Sequence, residues 1–590
     1  MSQFIRPSQF ITTYGPGSIL EGQNGPVLIL SIEESGVFRD GTSIKDFEIV
    51  DQRFSNSLLE GSRIVRIPTN AELGEPENTD VYKTSSFPVW SLCVEHNIIY
   101  RYDPDKQIGC PRCGNMGNRG WQKARNEAIR FVMACPGGHL DDVNWTGIVN
   151  HRRNNCHPDY MLWKGGGTLS DIEICCPICG ACINLGIAYN IEYNCTGRLP
   201  EKRQYTRCDL KAKMMQRGAA NLRIPEIITS LTIPPRSTEL HEIFGTKEVK
   251  LLFFAAIPQR KEEVIRILGR AEDTGIIQRN FVARVKQFEE SQIIEAITKT
   301  QEQIIVNNEN EYRVEELDAL QKAATFGEFV VPADTPGAPP RFEVHRADVK
   351  SFEMPSRRFI RVTPVSRLRV VAVQKGYRRL DPAEGAVVET SFEMDGDKWI
   401  PGVELHGEGV FVDLEPLESH SSIEHWEMKG LTYSQWLRAY QNPAVYINQG
   451  IDLNYECLHP VFVWWHTLAH RLINALSVDS GYSSAAIRER IYVKHTERGS
   501  TGGILLYTAQ SGGDGTLGGL IATVPHFDRV LLSALRDVHI CSNDPLCSGN
   551  FFSPGKYNGA ACYACELVSE TSCEYRNMFL DRNLLVDNLP

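Results

Sequence analysis

The sequence predicts a multidomain α+β protein. It reads as a zinc-ribbon-like N-terminal region, a mixed and mostly helical middle, and an α/β C-terminal domain carrying a four-cysteine zinc cluster. Three observations predict this. The 590 residues exceed what one hydrophobic core supports, roughly 250 to 300 residues. The seventeen cysteines concentrate in two stretches, many of them in short pairs of the kind that hold metal. Beyond residue 346, strand-like apolar runs alternate with amphipathic helical stretches.

Residues 1–86 read as short strands and turns, opened by Arg6–Gly17, where Gly15-Pro-Gly17 marks a turn. Residues 87–210 hold eleven cysteines and many glycines, so metal rather than a large apolar core is expected to hold them. Residues 211–345 combine strands at Ile227–Ile233 and Leu251–Ile257 with helices at Lys261–Gly269 and Ser291–Val306. Pro332–Pro340 contains four prolines, which remove donors and fix the backbone, so a linker or surface loop is expected there. In residues 346–590, Val362–Val373, Gly402–Leu414 and Arg490–Tyr507 read as strands. Thr432–Tyr440, Leu458–Ser477, Ser484–Arg490 and Phe527–Val538 read as helices.

Pro460–Val478 approaches membrane-spanning length, but His466, His470, Arg471 and Asn474 are costly in hydrocarbon, so a buried helix is expected. The start has no basic head followed by an apolar run. A cytoplasmic setting is therefore expected, which favours thiolate ligands over disulfides.

Four metal sites are expected, holding two to four structural zinc ions. Cys93-x-x-His96 with Cys110-x-x-Cys113 makes two knuckles that a single tetrahedral ion can join. Cys176-x-x-Cys179 is expected to draw on Cys195 and Cys208, with Cys175 and Cys182 as competitors. Cys135, His139, His151 and Cys156 are expected to make a mixed site. At the C-terminal end Cys562-x-x-Cys565 and Cys573 take Cys541 as fourth ligand, leaving Cys547 spare. Sites filled by four protein donors leave no position for an activated water.

The net charge of −11 argues against nonspecific DNA coating and leaves any nucleic-acid contact to local patches. Arg357–Arg379 carries eight basic residues and no acid: Arg357, Arg358, Arg361, Arg367, Arg369, Lys375, Arg378 and Arg379. Lys202–Arg217 carries Lys202, Arg203, Arg207, Lys211, Lys213 and Arg217 against Asp209 alone. The eight, with Lys211, Lys213 and Arg217, are the expected phosphate contacts.

Catalytic motifs are scarce. His466-x-x-x-His470 has the two-imidazole spacing of zinc proteases but Thr467 where the general base belongs. Ser511–Gly519 is glycine-rich without the Gly-Lys-Ser/Thr ending of a phosphate-binding loop. No Gly-x-Ser-x-Gly elbow occurs. The chain is therefore expected not to hydrolyse ATP. The alternative from a different class is a metal-dependent nuclease built on His466, His470 and Asp514.

Several stretches together resemble the DrmB family of bacterial DISARM phage-defence systems. They are Ser8–Gly17, Cys135–Asp142, Gln216–Asn221, Gly407–Phe411, His466–His470, Gly481–Ala485, Gly513–Gly519, Asn558–Cys562 and Glu570–Cys573. They run over nearly the whole chain. The C-terminal part also resembles the four-cysteine domain of Mrf-type DNA helicases, where a strand ending in Leu-Tyr and a Gly-Gly-x-Gly turn precede the cysteines, as Leu506-Tyr507 and Gly512–Gly515 do here. The helicase motor that precedes that domain elsewhere is missing. The resemblance implies a non-catalytic subunit that docks on a separate helicase-like ATPase, DrmA, and helps bind or sense foreign DNA. It also implies a functional association with a DNA methyltransferase that marks host DNA. A scaffold without DNA contact differs from this reading only in the basic patches.

Overall fold

The computed structural model describes residues 5–22, 25–38, 42–102, 109–113, 128–152, 156–232, 239–301, 309–326, 329–331, 342–354, 358–381, 385–415, 428–446, 455–496, 499–510 and 518–589. The expected linker at 332–340, together with Arg357 and Asp514, lies outside the described residues. The chain forms two units. One comprises Met1–Ile49, Ile64–Ile228 and Ala372–Val403; the other comprises Val50–Arg63, Thr229–Val371 and Glu404–Pro590. The four consecutive segments expected from sequence are therefore redistributed, because the strands Phe359–Arg378 and Asp397–Leu414 each give residues to both units.

The first unit is built from small antiparallel sheets. A five-stranded sheet runs Cys182–Asn184, Glu173–Cys175, Tyr160–Lys164, Ile98–Arg101, Trp90–Cys93. A four-stranded sheet runs Glu192–Asn194, Lys211–Gln216, Phe131–Ala134, Leu140–Asp142. Strands this short carry few side chains each, so a shared core around Trp145, Ile99, Met161, Ile174 and Leu185 is supplemented by metal clips. Cys175 and Cys182 face each other across an antiparallel pair and form a disulfide. That pairing withdraws both from the competition for zinc and corrects the expectation of thiolate ligands in place of disulfides.

The second unit centres on the helix Pro460–Asp479. Proline at its first position and the His459 side chain, which accepts from the Val461 amide at 3.2 Å, start it. Fifteen of its residues are buried, so it is the core helix the sequence predicts. It packs on the antiparallel strands Arg488–Thr496 and Gly499–Gln510. Strand periodicity puts Glu489, Ile491 and Val493 on the face toward the helix, where Ile491 and Val493 join its core. Arg490 and Tyr492 point the other way, to Glu316 on the helix Glu309–Phe326. Gly502 allows the helix to come close, since a Cβ there would sit 2.5 Å from Trp465 Nε1. Among the described residues, no helix is long and apolar enough to cross a membrane.

Three local expectations fail. Leu251–Ile257 is not a strand: Lys247–Leu252 is helical, and Phe253 packs edge-on against Phe244 in a helical core. A short apolar run does not by itself distinguish the two. Ser484–Arg490 is a single 3-10 turn at Ser484–Ala486 that gives way to strand from Arg488. Pro7–Thr12, expected as strand and turn, is a helix with Pro7 at its first turn.

Candidate metal centres

Four cysteine-rich sets converge, each with its donor atoms within 4.8 Å of one another. Tetrahedral zinc with bonds of about 2.0 to 2.3 Å holds its ligand atoms roughly 3.3 to 3.8 Å apart. Most of the separations described for these sets fall in that range, with Cys135–Cys208 slightly wider at 4.0 Å.

Cys93 closes the strand Trp90–Cys93, and its pairing with Ile98 folds the intervening turn so that His96 comes back beside it. His96 Nδ1 lies 3.5 Å from Cys93 Sγ, 3.8 Å from Cys110 Sγ and 3.3 Å from Cys113 Sγ. This is the set the knuckle spacing predicts.

The next two sets are nested rather than consecutive, which corrects the expected grouping. Cys135 and His139 join Cys195 and Cys208, while His151 and Cys156 join Cys176 and Cys179 inside that loop. The sheet dictates the exchange. Lys213 pairs with Ala134, which brings Cys208 beside Cys135, and Asn194 pairs with Lys211, which delivers Cys195. Cys135 Sγ is 3.4 Å from Cys195 Sγ and 4.0 Å from Cys208 Sγ. Gly138 has φ +85°, and a Cβ there would collide with Val388, so glycine permits the turn that returns His139 to Cys135.

Both histidines are oriented from behind. His139 directs Nδ1 to Cys135 Sγ at 3.3 Å and Nε2 to the Thr206 hydroxyl at 2.6 Å. His151 directs Nδ1 to Cys179 Sγ at 3.4 Å and Nε2 to the Thr146 carbonyl at 2.9 Å. Anchoring one nitrogen leaves the other's lone pair for the ion. The amides of Ala181 and Arg152 and the His151 imidazole hold the Cys179 thiol down to about 6, which favours the thiolate a metal requires.

At the C-terminal end the set is Cys541, Cys547, Cys562 and Cys565. Cys541 and Cys562 lie 3.5 Å apart, Cys547 and Cys565 3.7 Å, and Cys562 and Cys565 3.7 Å. Cys547 thus belongs to this set and Cys573 does not, the reverse of the expectation. Asp544 explains it: its carboxylate accepts from the amides of Cys541 (2.8 Å) and Ser548 (2.9 Å), closing a turn that carries Cys547 back. Burial pushes the Cys562 thiol up, but the Ala564 amide and the Cys541 and Cys565 sulfurs outweigh it and hold it at about 7.

Cys573 lies instead with His466, His470 and Glu489. Both histidines have no exposed surface, whereas a hydrolytic site must admit DNA and water. The pair therefore does not suit the nuclease for which it was the alternative.

The basic strand is largely spent on folding. Arg361 forms a two-pronged pair with Asp413 (2.9 and 2.6 Å), and Arg369 pairs with Glu404 at 2.8 Å, both buried. Arg378 pairs with Glu226 at 2.7 Å. Arg379 has no exposed surface and donates to the carbonyls of Gly138, Leu222 and Gly17. These four are corrected from phosphate contacts to interior ties. The strand is covered on both faces, so alternation along it does not signal exposure. Arg358 and Arg367 are half-buried and Lys375 is exposed. Arg217 is likewise held, by Glu21 and by the carbonyls of Ala128 and Ile129. Lys211 and Lys213 are exposed and alternate with buried Ala212 and Met214.

Comparison with known proteins bears on both ends. Residues 6–224 match the family described as Domain of unknown function (DUF8724). Residues 468–566 match the MrfA Zn-binding domain, a span that contains all four of the converging C-terminal cysteines. That match, with the four sets of convergent donors, makes structural zinc part of this fold. The chain is 29% identical over 544 residues to the DISARM protein DrmB of Bacillus paralicheniformis, covering 85% of this chain and 88% of the relative. The similarity seen in the sequence motifs is upheld over that length. A solved structure, the DUF1998 helicase MrfA bound to DNA, overlaps 34% of this chain and 21% of its own at 12% identity and a TM-score of 0.19, too low to establish a shared fold.

Proposed function

We propose that this chain is the non-catalytic, zinc-stapled DrmB subunit of a DISARM defence complex, docking on the helicase-like ATPase DrmA and contributing phosphate contacts to bound foreign DNA. Similarity to a DISARM DrmB over most of the chain supports the first part.

One observation carries the DNA contact: an exposed basic segment built around a zinc ligand. Arg203, Arg207, Lys211 and Lys213 are exposed on either side of Cys208, and the Tyr205 ring stands 69% exposed among them. Arg207 meets the surface acid Asp209 at 3.6 Å and Lys213 meets the surface acid Glu192 at 3.2 Å, while Arg203 meets the half-buried Glu34 at 3.5 Å. Such pairs are worth about 0 to 1 kcal/mol and yield readily to phosphate. Cations fix the backbone without reading bases, and an exposed aromatic ring offers a stacking surface to an unpaired base. This segment takes over the role first expected of the Arg357–Arg379 strand, from which Lys375 alone keeps a fully exposed cation among the described residues.

The test is DNA binding by the assembled complex with Arg207, Lys211 and Lys213 all changed to Ala. The reading expects weaker binding and a salt dependence flatter by about 0.9 in log–log slope for each duplex phosphate that is no longer neutralised. Unchanged affinity and slope would leave the chain a scaffold.

A further inference from the structure

We propose that His466, His470, Glu489 and Cys573 bind a zinc ion of their own, a buried, closed structural site separate from the cysteine-rich clusters. The proposal stands independently of the DNA-binding reading.

The four donors come from three elements. His466 and His470 are one turn apart on the core helix, Glu489 lies on the facing strand, and Cys573 lies in the C-terminal segment. Their ligating atoms lie within 4.8 Å of one another. His466 Nε2 is 2.9 Å from Glu489 Oε1 and 3.3 Å from Cys573 Sγ, and His470 Nε2 is 3.3 Å from the same carboxylate oxygen. The two 3.3 Å separations match the short end of the His96 set, 3.3 to 3.8 Å, a constellation already recognisable as a zinc knuckle, while the His466–Glu489 contact is shorter.

The surroundings repeat the device used at the other sites. His470 Nδ1 donates to the Glu566 carbonyl at 2.7 Å, as His151 Nε2 does to Thr146. With Nδ1 so engaged, a neutral ring turns its Nε2 lone pair toward the Glu489 carboxylate, an arrangement that needs a proton or a metal ion between them. Cys573 Sγ accepts from the amides of Tyr575 (3.3 Å) and Asn577 (3.2 Å). The same contact, an amide two residues on, reaches Cys541 Sγ and Cys195 Sγ in their clusters.

Charge decides between an ion and a hydrogen-bonded network. His466, His470 and Glu489 have no exposed surface, and Cys573 is 6% exposed. Glu489 Oε1 faces both imidazoles, but Oε2 finds no hydrogen-bond partner among the described residues, and leaving one oxygen of a buried carboxylate unmatched costs free energy that a cation offsets. A divalent ion bound by one thiolate, one carboxylate and two neutral imidazoles makes a site of zero net charge, which suits the interior. Imidazole, carboxylate and thiolate in one tetrahedral set select zinc. With four buried protein donors, the ion has no open position for water and ties helix, strand and C-terminal segment together.

The test is a zinc-edge anomalous difference map from crystals of the full wild-type chain. The expected result is a peak roughly 2.0 to 2.3 Å from each of the four ligating atoms. No peak there, with the cysteine-rich clusters occupied, would overturn the proposal. As a second measurement, Cys573→Ser and Glu489→Gln should each lower the zinc content of the purified full chain by one ion, while Cys457→Ser, a buried thiol outside the clusters, should not. Folded variants that keep the wild-type zinc content would also overturn it. If the variants do not fold, the wild-type map decides.

Discussion

Cys135 and Cys208 are 73 residues apart in sequence, yet their sulfurs lie 4.0 Å apart. Closing so long a loop costs chain entropy that short strands recover poorly, whereas a structural zinc contributes its binding energy directly to folding. The second site, His151 to Cys179, forms within that loop. The first unit is thus clipped at two nested levels around one core.

Replacing Cys208 with Ser should release one zinc ion per chain and speed amide hydrogen exchange around residues 198–208 and 211–216. It should also weaken DNA binding by the complex, although no positive charge is removed. Metal analysis and exchange mass spectrometry check the first two effects, and DNA titration the third. Full zinc content in a folded variant would remove Cys208 from the site.

Cys547 and Cys541 should behave alike. Changing either to Ser should cost the same single zinc ion, since both belong to the C-terminal four-cysteine set. Metal content per folded chain measures it. A Cys547→Ser variant with full zinc would restore the grouping suggested by sequence.

Arg361→Ala should act on stability rather than on DNA. It leaves Asp413 buried with Gln321 as its remaining side-chain partner among the hydrogen bonds described, and breaking such a pair costs about 3 to 5 kcal/mol. Urea unfolding should show that loss, while the salt dependence of DNA binding keeps its slope. A flatter slope at unchanged stability would mean that Arg361 reaches phosphate.

Asp581 should give the second unit a measurable pH response. Burial pushes its carboxyl up from 3.8 to about 6, against the hydrogen bond from Trp436 Nε1 at 2.8 Å. A raised acid pKa means that the folded state disfavours the ionised form. The penalty, about 3 kcal/mol, is complete above pH 6, shrinks as pH falls from 6 toward 3.8 and vanishes below that. Relative to Asp581→Asn, the wild-type chain should gain stability between pH 7 and pH 5. Parallel pH profiles of the two, followed by denaturant unfolding, would contradict this.

Much of the architecture was legible because it rests on local signals. The Cys93–Cys113 knuckles, the core helix at Pro460–Asp479 and the long strands near residues 362 and 402 follow from spacing and periodicity. What was not legible depends on pairing between distant strands. Nothing in the spacing of Cys176, Cys179, Cys195 and Cys208 reveals that the Lys213–Ala134 register carries Cys208 to Cys135. Charge misled for the same reason: Arg361, Arg369 and Arg379 look like a solvated face until Asp413, Glu404 and the Gly138 carbonyl arrive from other parts of the chain. Glu489 gave little signal, because its strand Arg488–Thr496 mixes charged and apolar residues and only its place two residues before Ile491 marks an inward-facing position. An acid there, opposite a His-x-x-x-His helix, is the pattern to look for.

The proposed function requires this chain and a helicase partner to share one DNA path. The most direct test is titration of labelled single-stranded and duplex DNA with this chain alone, with the helicase partner alone, and with the two together, across a salt series. A shared path requires the mixture to bind far more tightly than either part and with a steeper salt dependence. A mixture that binds no better than the helicase alone, or cleavage of DNA by this chain alone, would contradict it.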